Sequence, residues 1–237
     1  MVNTMKGKNM KKLIALMLAF GVTAGIADAQ TQVLSQNAVG YVKIEAGQGN
    51  LYLLRNDFES VDGEPMSIAN VLDDQVPAGS QVILYDEAGQ QYLPSIGRTA
   101  FGWAPAASNV LARGASFFLR IPDNSPELSY DLFIMGEVPD DDTPLSFVPG
   151  LNMAGVPFPA SMEWLDTEIA EELPPGSQLI LWDPVGQSYV PSIGKTAFGW
   201  AGAATGLVIE PGQGFFIRLP DTAGVLSFDE LKPYTWP

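Results

Sequence analysis

Residues 79–104 read GSQVILYDEAGQQYLPSIGRTAFGWA, and residues 176–201 read GSQLILWDPVGQSYVPSIGKTAFGWA. The two stretches share 19 identities in 26 positions at an offset of 97 residues, which chance does not produce. The match resumes at an offset of 98, where FFLRIPD at 117–123 answers FFIRLPD at 215–221. Such repetition indicates two copies of one unit of roughly 100 residues, an ordinary size for a domain.

Within each copy the residue pattern favours β-strands. Short apolar runs at 81–85 and 178–182 each lead into an Asp-x-x-Gly sequence, as in Asp86–Gly89. Asp opening and Gly closing four residues is typical of a type I turn, so a hairpin is predicted there. Later runs at 116–121 and 214–219 are entered through glycine and are stopped by Pro-Asp, which predicts one further strand in each copy.

Helix is the minor element. Leu165, Ile169 and Leu173 recur every fourth residue, which predicts an amphipathic helix of about two to three turns that ends at the following Pro-Pro-Gly. Its counterpart around 67–73 is shorter and weaker. We therefore predict a mainly β protein, built as two tandem antiparallel β-sandwich or small-barrel units with one short helix each, at residues 30–139 and 140–237.

The composition excludes several kinds of site. The chain has 237 residues and contains neither cysteine nor histidine. Disulfides, Cys/His zinc sites, cysteine nucleophiles and Ser-His-Asp triads are therefore excluded. With 46% hydrophobic and only 16% charged residues, the composition is that of a folding chain rather than a disordered one.

The first 29 residues have the pattern of a secretory signal peptide. Four lysines precede an apolar stretch at 13–27, and Ala27-Asp28-Ala29 supplies small residues at the A-x-A spacing. The alternative is a membrane anchor, but a spanning helix needs about 20 apolar residues, and this run has 15 and contains glycine. We expect cleavage before Gln30, a secreted location (extracellular, periplasmic or at the cell surface), and no membrane insertion of the mature chain.

The charge balance limits the partners of the mature chain. Without the signal, 8 basic and 26 acidic residues remain, a net charge of −18. Such a surface repels phosphate backbones and anionic lipids, so nucleic acid and bare membranes are poor candidates. Polysaccharides and cell-envelope proteins remain as possible partners.

The second copy carries three short motifs in order. They are GLNMAGVP at 150–157, an aromatic-Asp hairpin at Trp182-Asp183, and PGQGFF at 211–216. In this order the chain resembles uncharacterised secreted bacterial β-proteins built from a tandem module with the motifs G-x-N-x-x-x-x-P, aromatic-Asp and P-G-x-G-F-F. The first copy departs from this pattern, since Asp57 stands where Pro157 does and Arg113 replaces Pro211. The resemblance implies a secreted β-module and brings no catalytic residues with it.

Repeated aromatic residues are the first candidates for binding. Flat rings flanked by glycine and small polar residues suit a sugar-stacking platform, which makes Tyr92, Trp103, Tyr189 and Trp200 candidate carbohydrate-binding residues. The alternative is that the rings fill the core, because residues two apart, such as Phe101 and Trp103, lie on one side of a strand. This core interpretation is the favoured one.

Acidic residues are the second and third candidates. A glycosidase needs only two carboxylates, and acidic residues recur in both copies. We interpret Asp131 and Asp229, however, as cross-strand ion-pair partners of Arg120 and Arg218 in a final hairpin. The run Asp140, Asp141 and Asp142 offers oxygen ligands suited to calcium, although a solvated linker between the copies explains it better.

These observations favour a non-enzymatic, secreted structural or adhesive β-module at or outside the cell surface, with no cofactor. The alternative is a bivalent carbohydrate-binding protein that uses the repeated aromatic platforms. A carboxylate-only glycoside hydrolase is the third hypothesis, and no complete catalytic constellation supports it.

Overall fold

The computed structural model describes residues 38–61 and 63–235, which all belong to one compact unit. The predicted signal peptide lies outside the described residues. The strands of the first copy are β1 (Val39–Gly47), β2 (Leu51–Arg55), β3 (Gln81–Ile83), β4 (Tyr85–Asp86), β5 (Gln91–Tyr92), β6 (Ile96–Thr99), β7 (Gly102–Trp103), β8 (Ser116–Arg120) and β9 (Ser129–Glu137).

The second copy follows with eleven strands. They are β10 (Thr143–Phe147), β11 (Gly150–Ala154), β12 (Met162–Glu163), β13 (Gln178–Ile180), β14 (Trp182–Asp183), β15 (Ser188–Tyr189), β16 (Ile193–Thr196), β17 (Gly199–Trp200), β18 (Val208–Ile209), β19 (Phe215–Leu219) and β20 (Leu226–Glu230). The helices are α1 (Ile68–Leu72) and α2 (Glu168–Glu172), with 3-10 turns at Pro105–Ser108, Trp164–Asp166 and Gly202–Ala204. The protein is mainly β, as predicted.

Both copies build the same five-stranded antiparallel sheet. Its order is β2-β8-β3-β6-β7 in the first copy and β11-β19-β13-β16-β17 in the second. A separate two-stranded ribbon accompanies each sheet, β1 with β9 and β10 with β20, and the predicted hairpins are β4-β5 and β14-β15. In the described residues the sheets stay open, consistent with the sandwich alternative rather than a closed barrel.

The strands β8 and β19, second in the order of their sheets, are buried on both faces. Phe117 points into the apolar core of the first copy, and Phe118, its neighbour, joins a third cluster shared with the second copy. Phe215 and Phe216 divide in the same way. Successive side chains of a strand point to opposite faces. In each Phe-Phe pair, the first ring therefore packs in the core of its own copy and the second packs in the contact between the copies.

Two local expectations were wrong. The predicted helix before Pro174 is shorter, because Thr167 adopts an extended backbone and its side chain caps α2 by accepting from the N–H of Ala170. Leu165 lies before that cap and is 45% exposed. The expected final hairpin does not form either, because β9 pairs with β1 rather than with β8.

Candidate functional site

An aromatic seam joins the two copies. The ring of Phe118 lies 5.4 Å from that of Trp182 and 6.0 Å from that of Phe216, and Tyr85 lies 5.8 Å from Phe216. We define the aromatic seam as six rings, those of Tyr85, Tyr92, Phe118, Trp182, Tyr189 and Phe216. Edge-to-face aromatic pairs of this kind contribute about 0.5–1.5 kcal/mol each beyond the area that they bury.

Beside the seam, one glutamine of each copy bonds the backbone of the other copy. The side-chain amide of Gln90 accepts from the N–H of Leu151 at 2.7 Å and donates to its carbonyl at 3.0 Å. Gln187 does the same to Leu51, at 2.8 and 3.1 Å. The contacts are reciprocal, which is the pattern of an isologous interface. Sequence reasoning missed them, although a glutamine follows the Asp-x-x-Gly turn in both copies.

Tyr92 and Tyr189 meet where the copies join. Their hydroxyl oxygens are 2.9 Å apart, and their side chains are 47% and 46% exposed. Burial, followed by the hydrogen bond between the two hydroxyls, raises the pKa of Tyr92. These two predicted carbohydrate-binding residues are brought together by the structure, and their hydroxyls bond each other.

The two predicted tryptophans are partly buried and tied to helices. The indole N–H of Trp103 donates to the carbonyl of Asp73 at 2.9 Å, and that of Trp200 donates to the carbonyl of Ala170 at 2.8 Å. They lie at corresponding positions of hairpins β6-β7 and β16-β17. Among the described residues, the two tryptophans contact neither each other nor the Tyr92–Tyr189 pair.

The surroundings of the two indoles differ. Trp200 packs edge-on against Trp164 with ring centroids 5.1 Å apart, and the Lys195 ammonium lies 5.9 Å from its ring centre. That ammonium also donates to two carbonyls of α2, and burial lowers its pKa. Trp103 has no aromatic or cationic partner of this kind among the described residues.

Trp103 instead lines an open groove of about 610 Å³ between α1 and the β6-β7 hairpin. We call this the Trp103 groove. Arg98 also lines it and donates from its Nε to the carbonyl of Asp73 at 3.3 Å. The groove is lined by Pro65, Ser67, Ala69, Asn70, Asp73, Arg98, Gly102, Trp103, Ala104, Pro105, Ala107 and Ser108. Its volume lies in the range of small-molecule sites.

Phe101 and Phe198 are fully exposed, at 102% and 101%. They stand at the tips of hairpins β6-β7 and β16-β17, and we call them the Phe tips. The expectation that Phe101 lies on the core side with Trp103 was wrong, because Phe101 lies in the turn between β6 and β7, whereas Trp103 lies in β7. Gly102 joins the two residues at a φ of +114, a conformation that residues with a side chain rarely adopt.

A threonine orders each Phe tip. In the first copy Thr99 accepts from the N–H of Phe101 at 3.1 Å and donates to the carbonyl of Gly102 at 2.9 Å. In the second copy Thr196 makes the same two bonds at the same distances. The aromatic side chains are therefore held on defined turns.

The acidic run at residues 140–142 is bonded by Arg113 and Lys232. Asp141 accepts from Arg113 at 2.7 Å, Asp142 accepts from the N–H of Lys232 at 2.9 Å, and the carbonyl of Asp140 accepts from the Lys232 ammonium. Within 38–61 and 63–235, no group of three or more Asp and Glu side chains could hold a metal ion. The three predicted calcium ligands thus do not converge.

The predicted cross-strand ion pairs were also wrong. Asp131 pairs with Lys43 at 2.8 Å, across the β1-β9 ribbon. Arg120 pairs with Asp123 at 3.2 Å, three residues along the chain. The reason is the strand order, since β8 lies between β2 and β3 and not beside β9.

A buried ion pair at the join was not predicted. Arg55 bonds Asp57 through its Nε, and its Nη2 donates to the carbonyl of Phe158 at 3.0 Å. Asp57 also accepts from the N–H of Gly212 at 2.6 Å. Burial raises the pKa of Asp57 to about 6 against the opposing charge of Arg55. In the sequence, Asp57 stands where the second copy has Pro157, and this difference between the copies is the signal that could have indicated the ion pair.

A second buried carboxylate lies at the end of β20. Glu230 accepts from the N–H of Ile169 at 2.8 Å and from that of Glu168 at 3.2 Å. Burial raises its pKa to about 7. Both buried carboxylates therefore bond backbone N–H groups and hold segments of the fold together.

No family model, curated protein or solved structure matches the chain. The resemblance to secreted bacterial β-modules therefore stays a prediction. No helix in the described part of the chain is long and apolar enough to cross a membrane.

Proposed function

We propose that the mature protein is a non-enzymatic, secreted structural or adhesive β-module that acts at or outside the cell surface and contacts its partner through the two Phe tips. The observation that carries this proposal is the pair of fully exposed phenylalanines, held by the same threonine bonds in both copies. Secretion is supported by the lysine-rich start and the A-x-A spacing of the sequence.

The tips have the physical properties of interface anchors. Burying a phenylalanine side chain that is otherwise exposed contributes about 1.5–3 kcal/mol. Because the threonine bonds already order the backbone of each turn, binding does not cost the conformational entropy of ordering that backbone. Two tips on one compact unit also make the second contact intramolecular, which multiplies weak affinities.

Co-sedimentation with the cell-envelope fraction of the source organism tests this proposal. The variants are Phe101→Ala, Phe198→Ala and the double variant, and the matched control is Val185→Ala, since Val185 is also an exposed apolar residue on a turn. We expect the double variant to lose at least about tenfold in apparent affinity, each single variant to lose less, and the control to bind like the wild type. Equal binding by all five proteins, or no binding by the wild type, would refute the proposal.

The non-enzymatic part has its own test. The mature protein is incubated with a panel of polysaccharides, and new reducing ends are measured. We expect none to form, and product that disappears in a carboxylate variant would instead support the hydrolase hypothesis.

Carbohydrate binding is the second candidate function. Two observations favour it: Trp103 lines an open groove, and Tyr92 and Tyr189 form a half-exposed aromatic pair. A ring of a sugar can lie on such aromatic faces while polar groups bond its hydroxyls.

A further inference from the structure

We infer that the Trp103 groove is a single saccharide site that takes a neutral hexose residue, and that the corresponding place in the second copy is closed. This inference rests on the carbohydrate-binding candidate above. It replaces two equivalent sites with one, because the copies differ around the indole although their hairpins are almost identical in sequence.

The closure of the second copy follows from Lys195. Its ammonium lies over the ring of Trp200 while donating to the carbonyls of Ala170 and Glu171, and Trp164 packs edge-on against the same indole from the core. A hexose that stacked on the face of Trp200 under Lys195 would have to displace this ammonium. In the first copy, position 98 is an arginine that bonds the helix through Nε alone.

The first copy leaves polar atoms available at the groove. The terminal amino groups of Arg98 form no bond with any described residue, so they can donate to hydroxyls. Asn70 donates to the carbonyl of Pro65, which leaves its own oxygen as an acceptor. Vicinal hydroxyls of a hexose match such a mixture of donors and acceptors, while Trp103 provides the apolar surface for the C–H groups of the ring.

The backbone at Asp73 has a strained conformation at the same place. Asp73 has a φ of +38, whereas Leu173, which follows α2 as Asp73 follows α1, has a φ of −61. This turn directs the Asp73 carbonyl to both Trp103 and Arg98. Strain in a non-glycine residue is often retained at binding sites, because the surrounding structure must hold it in place.

Charge favours a neutral sugar over an acidic one. The Asp73 residue that lines the groove is followed by Asp74, and the whole chain carries a net charge of −15. A uronic acid would face this negative potential with Arg98 as the nearby cation. A neutral hexose carries no such penalty and can use both the carboxylate and the guanidinium.

Calorimetric titration of the full mature chain tests the inference. The probes are neutral hexasaccharides from cellulose, starch and mannan, with a hexamer of galacturonic acid as the acidic probe. One variant, Ser108→Trp, fills the groove from its exposed rim and keeps Trp103 in place. Its matched control is Thr205→Trp, at the corresponding position of the second copy. Trp103→Ala and Trp200→Ala form a second pair, with melting temperatures measured for every variant.

We expect at least one neutral hexasaccharide to bind at one site per chain. Ser108→Trp should weaken it at least about tenfold, or about 1.4 kcal/mol, while Thr205→Trp should leave it unchanged. Two sites per chain, equal losses in both variants, or a loss only in Tyr92→Ala and Tyr189→Ala would overturn the groove assignment and leave carbohydrate binding intact. Preference for the acidic hexamer would overturn the neutral class. Absence of binding by every probe would overturn both the groove and the carbohydrate-binding candidate.

Discussion

Glu230 should make the protein less stable as the pH rises, in contrast to carboxylates whose pKa is lowered by folding. The side chain is completely buried and accepts from two backbone N–H groups at the start of α2. Leu132 occupies the corresponding place in the first copy and is equally buried, so this position lies in the interior in both copies. We predict that Glu230→Gln removes most of this pH dependence.

The magnitude follows from the difference between two pKa values. The pKa of Glu230 rises from 4.5 to about 7 on folding, a difference of about 2.5 pH units. Because one unit corresponds to 1.36 kcal/mol, the full effect is about 3 kcal/mol. The folded state keeps the proton longer than the unfolded state does. The contribution is therefore fully present below about pH 4.5 and is lost as the pH rises to about 7.

Urea denaturation of the wild type and of Glu230→Gln, from about pH 4 to about pH 8, measures this effect. The substitution also removes one acceptor, a loss of about 1 kcal/mol that does not vary with pH. The stability of the variant relative to the wild type should rise by about 3 kcal/mol across the range. The titration of Asp57 occurs in both proteins and cancels. The exposed control Glu163→Gln should show no such trend, and a pH-independent difference for Glu230→Gln would refute the reasoning.

Three further predictions concern the join between the copies. Asp57→Ala should lower the free energy of unfolding by about 3–5 kcal/mol in urea denaturation, because it leaves Arg55 buried without its partner; a loss below about 1 kcal/mol would contradict this. Gly155→Ala places a Cβ in steric overlap with the Cδ of Arg55 and should cost about 1–3 kcal/mol, whereas Gly194→Ala, with nothing within 4 Å, should be nearly neutral by the same measurement. Gln187→Ala removes three hydrogen bonds, two to Leu51 and one to the carbonyl of Pro184, and should lower stability by about 1–3 kcal/mol, with unchanged stability as the contrary result.

The local part of the fold could be predicted from the sequence. The Asp-x-x-Gly turn places its aspartate where Asp86 accepts from the N–H groups of Ala88 and Gly89, and the β4-β5 hairpin forms as expected. The strand after glycine at 116–121 is also present. These features depend on neighbouring residues, which a single sequence displays directly.

The long-range part could not be predicted in the same way. Pairing of β1 with β9 joins residues more than eighty positions apart, such as Lys43 and Phe133, and nothing local in either strand specifies that partner. The length of α2 depends on a competition at Thr167 between continuing the helix and capping it. Each outcome is decided by tertiary packing.

The candidate site shows the same division. The sequence indicated which aromatic residues recur, but not which of them are exposed. Phe101 was expected on the core side with Trp103 but is fully exposed, because it lies in the turn before β7, and Trp200 contacts Trp164, which is 36 positions away in the sequence. A residue's environment depends on contacts far along the chain, and these are absent from a local pattern.

The reciprocal join between the copies requires different residues at corresponding positions of the two halves. Arg55 lies against Gly155, its own counterpart in the second half, and Gly214 lies against its counterpart Ser116. At each of these positions one half has the larger residue and the other has glycine. Substitutions that made the halves identical at these positions would therefore either crowd two larger groups together or leave a void, although the surrounding hairpins are nearly the same in sequence.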